Sequence, residues 1–281
     1  MVSYRFCRPD DIPRLVEAVE LCFRVHFPAA DRLTVEGFRE EMRLLDVWPS
    51  NSMIAAEGDD PVAVLIGTKR SREVLVHRIG VRPGHERRGH ARHLVDSLSH
   101  KLAVLGPERL VAEVPQDLPQ ACAFFAAAGY EQEAELTDWE LAPDALPAPA
   151  GGLVTEGTLA DLERSGVSPP AAEASWARQP ESLRATTDLR AAVLAGVERV
   201  EAWLVYRGVE QGADVLAIGC TDRSRQEAAW RLLFGHLQRA VPGRVRLAAF
   251  HASEAPYDVL SRLGFAAAGR RYRLVARACP A

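Results

Sequence analysis

The stretch GHERRGHAR, Gly84 to Arg92, holds three arginines, two histidines, two glycines and one acid in nine consecutive positions. Basic side chains at that density suit an anion, a phosphate or a nucleic acid, and the close histidines raise the question of a metal. The stretch follows an apolar run, EVLVHRIGV, and opens RRGHARHLVDSLSHKLAVLG. There Ala91, Leu94, Val95, Leu98, Leu102 and Leu105 fall on one helical face, and Gly106-Pro107 stops the helix. A strand that passes through a glycine-bearing loop into a helix aims several backbone N–H groups at one point, backed by the positive end of the helix dipole. Phosphate is the ligand for such a cradle. Gly89 admits close approach of the backbone and Ala91 keeps the helix entrance clear. Arg87 and Arg88 add charge-assisted bonds to a pyrophosphate or a ribose phosphate. Neither G-x-x-x-x-G-K-[ST] nor G-x-G-x-x-G occurs, which argues against a nucleoside-triphosphatase loop and a dinucleotide fingerprint.

Three other readings of the stretch stay open on the residues alone. His85, His90, His93 and His100 are near in sequence, but no H-x-x-x-H pair sets two metal ligands one turn apart, so no metal is expected. Arg82, Arg87, Arg88 and Arg92 could meet nucleic acid, yet no aromatic residues interleave them. The stretch could also be a solvated charged face with no ligand.

The whole chain restricts these readings. Lys and Arg number 34 against 38 Asp and Glu, and a net charge of -4 disfavours a dedicated nucleic-acid binder. Five scattered cysteines without a C-x-x-C pair suggest neither a disulfide framework nor a zinc ribbon, so a reducing cytoplasm is expected. MVSYRFCRPDD lacks a signal pattern and no apolar run is long enough for a bilayer, so no membrane association is expected. With 281 residues and 48% hydrophobic composition, two domains are expected. APDALPAPAGG, residues 142–152, reads as the linker, which gives domains of 1–145 and 146–281.

The first half reads as β-α-β-β-β-α-β-α-β, with hairpins as well as crossovers, an α+β fold. The second half repeats part of it: EVLVHRIGV and FFAAAGY in the first half are echoed by ADVLAIGC and VLSRLGF in the second. The offset from Gly80 to Gly219 is 139 positions and from Gly129 to Gly264 it is 135. The shortening falls between strand and helix, where VRPGHERRGHAR becomes CTDRSRQEAA, without glycine or the arginine pair. A duplication in which one copy has lost its loop predicts that only one domain keeps a ligand site.

IGVRPGHERRGHARHLVDSL resembles motif A of the GNAT superfamily of N-acetyltransferases, whose loop reads Q/R-x-x-G-x-G/A. Glu86 takes the Q/R position, Arg87 and Arg88 the variable ones, and Gly89, His90 and Ala91 complete the motif. RFCRPDDIPRLVEAV is similar to the family's opening strand and helix, and ACAFFAAAGY to its A-x-x-F-Y-x-x-x-G-F helix. The second half resembles the degenerate partner of tandem GNAT proteins. The resemblance implies two GNAT-like domains, each a mixed, mostly antiparallel twisted sheet flanked by helices. It also implies acetyl-CoA, or a related acyl-CoA, as donor, with direct transfer to an amine of a small-molecule or peptide acceptor in a ternary complex.

The cofactor contacts it implies are Ile79, Gly80, Val81, Glu86, Arg87, Arg88, Gly89, His90, Ala91 and Arg92. Pantetheine would add to the backbone of 79–81 as an extra strand, Val81 would donate to the oxyanion, and Glu86 would turn outward, away from the phosphates. Two positions depart from the family: Phe125 stands where a Tyr often protonates the leaving thiolate, and Leu118 stands at a frequent Asn. Candidate bases are His77, expected on the strand face of Ile79 and Val81, and Glu113 at the end of the next strand. Either could instead be structural, His77 satisfied by neighbours and Glu113 salt-bridged. Trp176, Arg178, Trp203 and Tyr257 could line an acceptor cleft or pack a core. A non-catalytic acyl-CoA-binding or interaction module is the alternative to an enzyme.

Overall fold

A computed structural model of the chain describes residues 1–27, 31–147, 154–167, 174–196 and 199–279. In chain order the elements are β1 (Val2–Phe6), α1 (Ile12–Cys22), α2 (Val35–Leu45), β2 (Met53–Glu57), β3 (Asp60–Gly67), β4 (Glu73–Val81), α3 (His90–Leu105), β5 (Arg109–Pro115), α4 (Pro119–Ala127) and β6 (Glu131–Leu141). There follow β7 (Val154–Gly157), α5 (Leu159–Arg164), α6 (Pro180–Ala185), β8 (Arg190–Ala195), β9 (Val200–Val209), β10 (Gly212–Cys220), α7 (Gln226–Ala240), β11 (Arg244–Phe250), α8 (Tyr257–Arg262) and β12 (Ala266–Arg277). The second series repeats the first element for element. Among the described residues no helix is long and apolar enough to cross a membrane.

The chain divides into two compact units, Met1–Glu133 with Tyr272–Ala281, and Ala134–Arg271. The division differs from one at 145/146 because the two copies exchange their last strands. In the first unit the strand order is β1-β2-β3-β4-β5-β12, and in the second it is β6-β11-β10-β9-β8-β7. Sequence cannot show the exchange, since β6 and β12 follow equivalent helices. The expected linker lies partly outside the described residues. The pairs β1–β2, β2–β3, β3–β4, β7–β8, β8–β9, β9–β10 and β6–β11 are antiparallel, and β4–β5 and β10–β11 are parallel, so each unit's sheet is mixed and mostly antiparallel.

In the first unit, Leu94, Val95, Leu98 and Leu102 of α3 pack on Val74 and Val76 of β4 and on Leu110 and Ala112 of β5. Leu105, expected on that face, is 64% exposed, because α3 reaches its end there and overhangs the sheet. The opposite face of β2 and β3 packs on α1 and Phe38 of α2. The sequence reading has no α2. Its signals are Thr34, whose side chain accepts from Gly37 N, and Phe38, Met42 and Leu45 at helical spacing. The exchanged strand is fastened by Arg273, which donates to Glu73 at 2.9 Å and Glu133 at 3.1 Å.

Candidate active site

Two irregularities in β4 create the site. The first is a bulge. Val76 pairs with Gly67 but Arg78 with Ile66, so His77 is the extra residue. Val74, Val76, Ile79 and Val81 therefore share the α3 face, while His77 and Arg78 both turn toward α2. The expectation that His77 lies on the face of Ile79 and Val81 is thus corrected: strict alternation holds only for a strand without a bulge. The second irregularity is a parting of strands. β4 pairs with β5 at Glu73–Leu75 against Arg109–Val111, and the ladder ends there. From Val76 to Val81, β4 offers backbone N–H and C=O groups on the side from which β5 has turned away.

The parted strand leads into the loop 82–89. Gly84 has φ +86, Arg87 φ +61 and Gly89 φ +84, three left-handed residues within six positions. Glycine adopts this conformation freely, whereas Arg87 carries strain on the order of 1 kcal/mol. Nothing lies within 4 Å of where a Cβ on Gly89 would stand. Gly89 is the N-cap of α3 and no side chain caps that helix, while the N–H of His93 is the first to bond back, to Gly89 O. The N–H groups of His90, Ala91 and Arg92 thus form the uncapped first turn that an anion would meet.

Glu86 is exposed. Its Oε2 accepts from Gly84 N at 2.6 Å, so the carboxylate is folded back on its own loop and tightens the turn. Arg88 donates to Gly84 O at 3.0 Å, Arg92 pairs with Asp96 at 2.8 Å, and Arg87 is exposed. Behind the loop, Tyr4 OH donates to His90 Nδ1 at 2.7 Å, taking His90 as the Nε2–H tautomer, and the Tyr4 ring lies 3.9 Å from that of His93. Burial, and then the electrostatic influence of His85, Arg88 and His93, hold the His90 pKa below its ordinary value against the pull of Glu57. His90 therefore anchors the first helical residue to β1 by its side chain and leaves its backbone to face outward.

Glu41, in the helix that sequence reading missed, is the residue that organises the bulge. Arg78 donates to it twice, at 2.5 and 2.7 Å, and His77 Nε2 lies 3.8 Å from its Oε2. Burial alone would push the Glu41 carboxyl up, but His77 and Arg78 outweigh it and hold it at about 2. A cavity of about 220 Å³ adjoins this group, lined among others by Val19, Phe23, Phe27, Leu33, Glu41 and Arg78, with the Phe23 and Phe27 rings stacked at 4.7 Å.

Glu113 lies away from this group, in the ion cluster of Arg273, 3.6 Å from Nη1. Phe125 is 3% exposed and meets the ring of Tyr130 edge-on at 5.0 Å. Trp176, Arg178 and Trp203 are buried within the second unit, and Tyr257 is half-buried there against Trp139. Among the described residues no group of three or more His, Cys, Asp or Glu could hold a metal ion.

In the first unit, a mixed sheet whose parallel pair parts thus leads into an uncapped glycine loop. Residues 12–130 match the acetyltransferase (GNAT) family. The chain as a whole is similar to a tandem GNAT protein from the clavulanic acid biosynthesis pathway, at 19% identity and TM-score 0.69, with 100% of each chain covered. It is also similar to a GCN5-related N-acetyltransferase from Sphaerobacter thermophilus, at 16% identity and TM-score 0.68, covering 99% of this chain and 96% of that one. A putative acetyltransferase from Pyrococcus horikoshii aligns at 13% identity and TM-score 0.64 over 99% and 90%. No curated protein matches in sequence. At these identities the structural likeness speaks to fold alone.

Proposed function

We propose that the protein transfers an acetyl group from acetyl-CoA to an amine, with the donor bound by the first unit. The observation that carries this reading is the parting of β4 from β5 beyond Leu75, in the strand that leads through the loop 82–89 to the uncapped Gly89–His90 turn. The opened edge of β4 takes the amide groups of pantetheine as an added strand, and the first turn of α3 takes the pyrophosphate. Arg87 is positioned by its left-handed backbone to add charge at the loop surface.

His77 is the general base in this reading. It occupies the bulge two residues beyond the last β4–β5 pair, with its Nε2 3.8 Å from Glu41 Oε2. The amine enters from the cavity between α1 and α2, where the Phe23 and Phe27 rings would pack the acceptor's apolar part. Glu113, already committed to Arg273, is left to hold the sheet together.

A non-catalytic acyl-CoA-binding module is favoured by one observation: Phe125, enclosed by Phe124 and Tyr130, offers no proton to a leaving thiolate. Measuring thiol release from acetyl-CoA against a broad panel of amines separates the two. Release above blank with at least one amine is expected. Binding of acetyl-CoA with no release for any amine would establish the module instead.

A further inference from the structure

The second unit repeats the architecture of the site and then fills it with its own side chains. β10 pairs in parallel with β11 at Gly212–Val215 against Arg244–Leu247 and the ladder ends there, as it does between β4 and β5. β10 also bulges, between Val215 and Ala217, so Leu216 stands where the first unit has His77. Between the parted strands lies the guanidinium of Arg178. Its Nη1 donates to Leu216 O on β10 at 3.2 Å, and its Nη2 to Ala249 O on β11 at 2.8 Å. Glu254 receives both nitrogens, at 2.9 and 2.6 Å, and the guanidinium carbon sits 3.6 Å from the centre of the Phe250 ring.

The arrangement is built, not incidental. Both charged side chains are enclosed, with Arg178 2% and Glu254 6% exposed. Ala249 adopts φ +56, strained for an alanine, and its N–H is held by Asp138 at 2.6 Å while its carbonyl meets Arg178. Further along β10, the Trp203 ring occupies the space a Cβ on Gly219 would need, and Trp230 Nε1 donates to Gly219 O at 3.3 Å. In the shortened loop before α7, the Asp222 carboxylate accepts from Ser224 N at 2.9 Å. Asp222 thus caps a 3-10 turn, Arg223–Arg225, that runs straight into α7, whereas α3 begins at Gly89 with no side-chain cap.

We propose that Arg178 and Asp222 occupy, in the second unit, the places that pantetheine and phosphate take in the first, so that each chain binds one acyl-CoA. The guanidinium supplies the donors that a bound amide would offer to β10 and β11, and the Asp222 carboxylate takes a helix-entrance N–H, that of Ser224, that a phosphate would need. This inference rests on the donor site proposed for the first unit.

Calorimetric titration of the full chain with acetyl-CoA, together with amide exchange, tests it. One site per chain is expected, lost in Gly89→Glu, with slowed exchange over residues 76–92 and none over 212–225 or 245–250. Two sites, protection in the second unit, or a site that survives in Gly89→Glu would overturn the proposal. An arm that needs no ligand uses Arg178→Met, which keeps the length of the side chain and removes its donors. Exchange should quicken at 216–219 and 249–251 and stay unchanged at 76–92; unchanged exchange at 216–219 and 249–251 would overturn the plug. Absence of any acetyl-CoA binding by the wild type would instead sink the first-unit reading, and the Arg178→Met arm would still decide whether the guanidinium bridges the strands.

Discussion

The carbonyl oxygen of Cys22 lies 2.5 Å from the point a Cβ on Gly80 would occupy. The end of α1 is therefore seated directly on the backbone of β4, one residue before the strand runs out. Backbone on backbone leaves nothing flexible to yield, so Gly80→Ala must displace the strand that carries the proposed donor edge. We expect a loss of about 1–3 kcal/mol in urea unfolding, with weakened acetyl-CoA binding. Gly84→Ala has open space around it but a φ of +86, and should lose about 1 kcal/mol through the backbone alone. Equal stability of the wild type and Gly80→Ala would show that α1 is not so seated.

The bulge residue and its carboxylate give separable effects. His77→Gln should lower kcat by roughly 10²- to 10⁴-fold, the usual contribution of a general base, and leave the Kd for acetyl-CoA unchanged. An unaltered kcat would remove His77 from the reaction. Glu41→Gln should destabilise the protein by about 1.5–3 kcal/mol at pH 7, the worth of charge-assisted bonds to Arg78. The Glu41 carboxyl, ordinarily near 4.5, is held at about 2 in the folded chain. Its stabilisation is thus complete above pH 4.5 and fades as pH falls toward 2. The stability gap between wild type and Glu41→Gln should close over that window, and a gap independent of pH would contradict the assignment.

His90 acts at higher pH and with the opposite origin. Its folded pKa is depressed below 6.5, so the folded protein resists a proton that the unfolded chain accepts. At pH 7.5 both states are neutral and there is no penalty; as pH falls through 6.5, the unfolded chain gains protons and stability declines. Chemical unfolding of wild type and His90→Gln at pH 7.5, 6.5 and 5.5 reads this directly. The wild type should lose more stability than the variant across the series, and parallel losses would place the acid sensitivity elsewhere.

Much of this was legible in the residues. Glycines at 84 and 89, the apolar helix face after them and the echoed runs around Gly80 and Gly219 point to the loop, the fold and the duplication, because local backbone demands and burial write themselves into residue type. Three features do not. The bulge at His77 leaves no mark in EVLVHRIGV, since it depends on how β3 pairs with β4. Glu41 belongs to an exposed, charge-rich helix, EGFREEMRLL, whose apolar stripe is thin. Arg178 reads in SWARQPE as an ordinary basic residue, and only the fold brings Leu216, Ala249 and Glu254 around it. Glu86, an odd acid in a basic stretch, accepts from Gly84 N, a local contact that residue type alone does not show.

In the proposed function, the Gly89–His90 turn of the first unit holds the phosphates of an acyl-CoA. Thermal unfolding of the wild type and Gly89→Glu, each with and without acetyl-CoA at about 100 times the wild-type Kd, tests it most directly. The wild type should be stabilised by about 2.7 kcal/mol and the variant should not respond, since its carboxylate would stand where the pyrophosphate approaches. A wild type that acetyl-CoA leaves unmoved, or a variant stabilised to the same extent, would contradict the account.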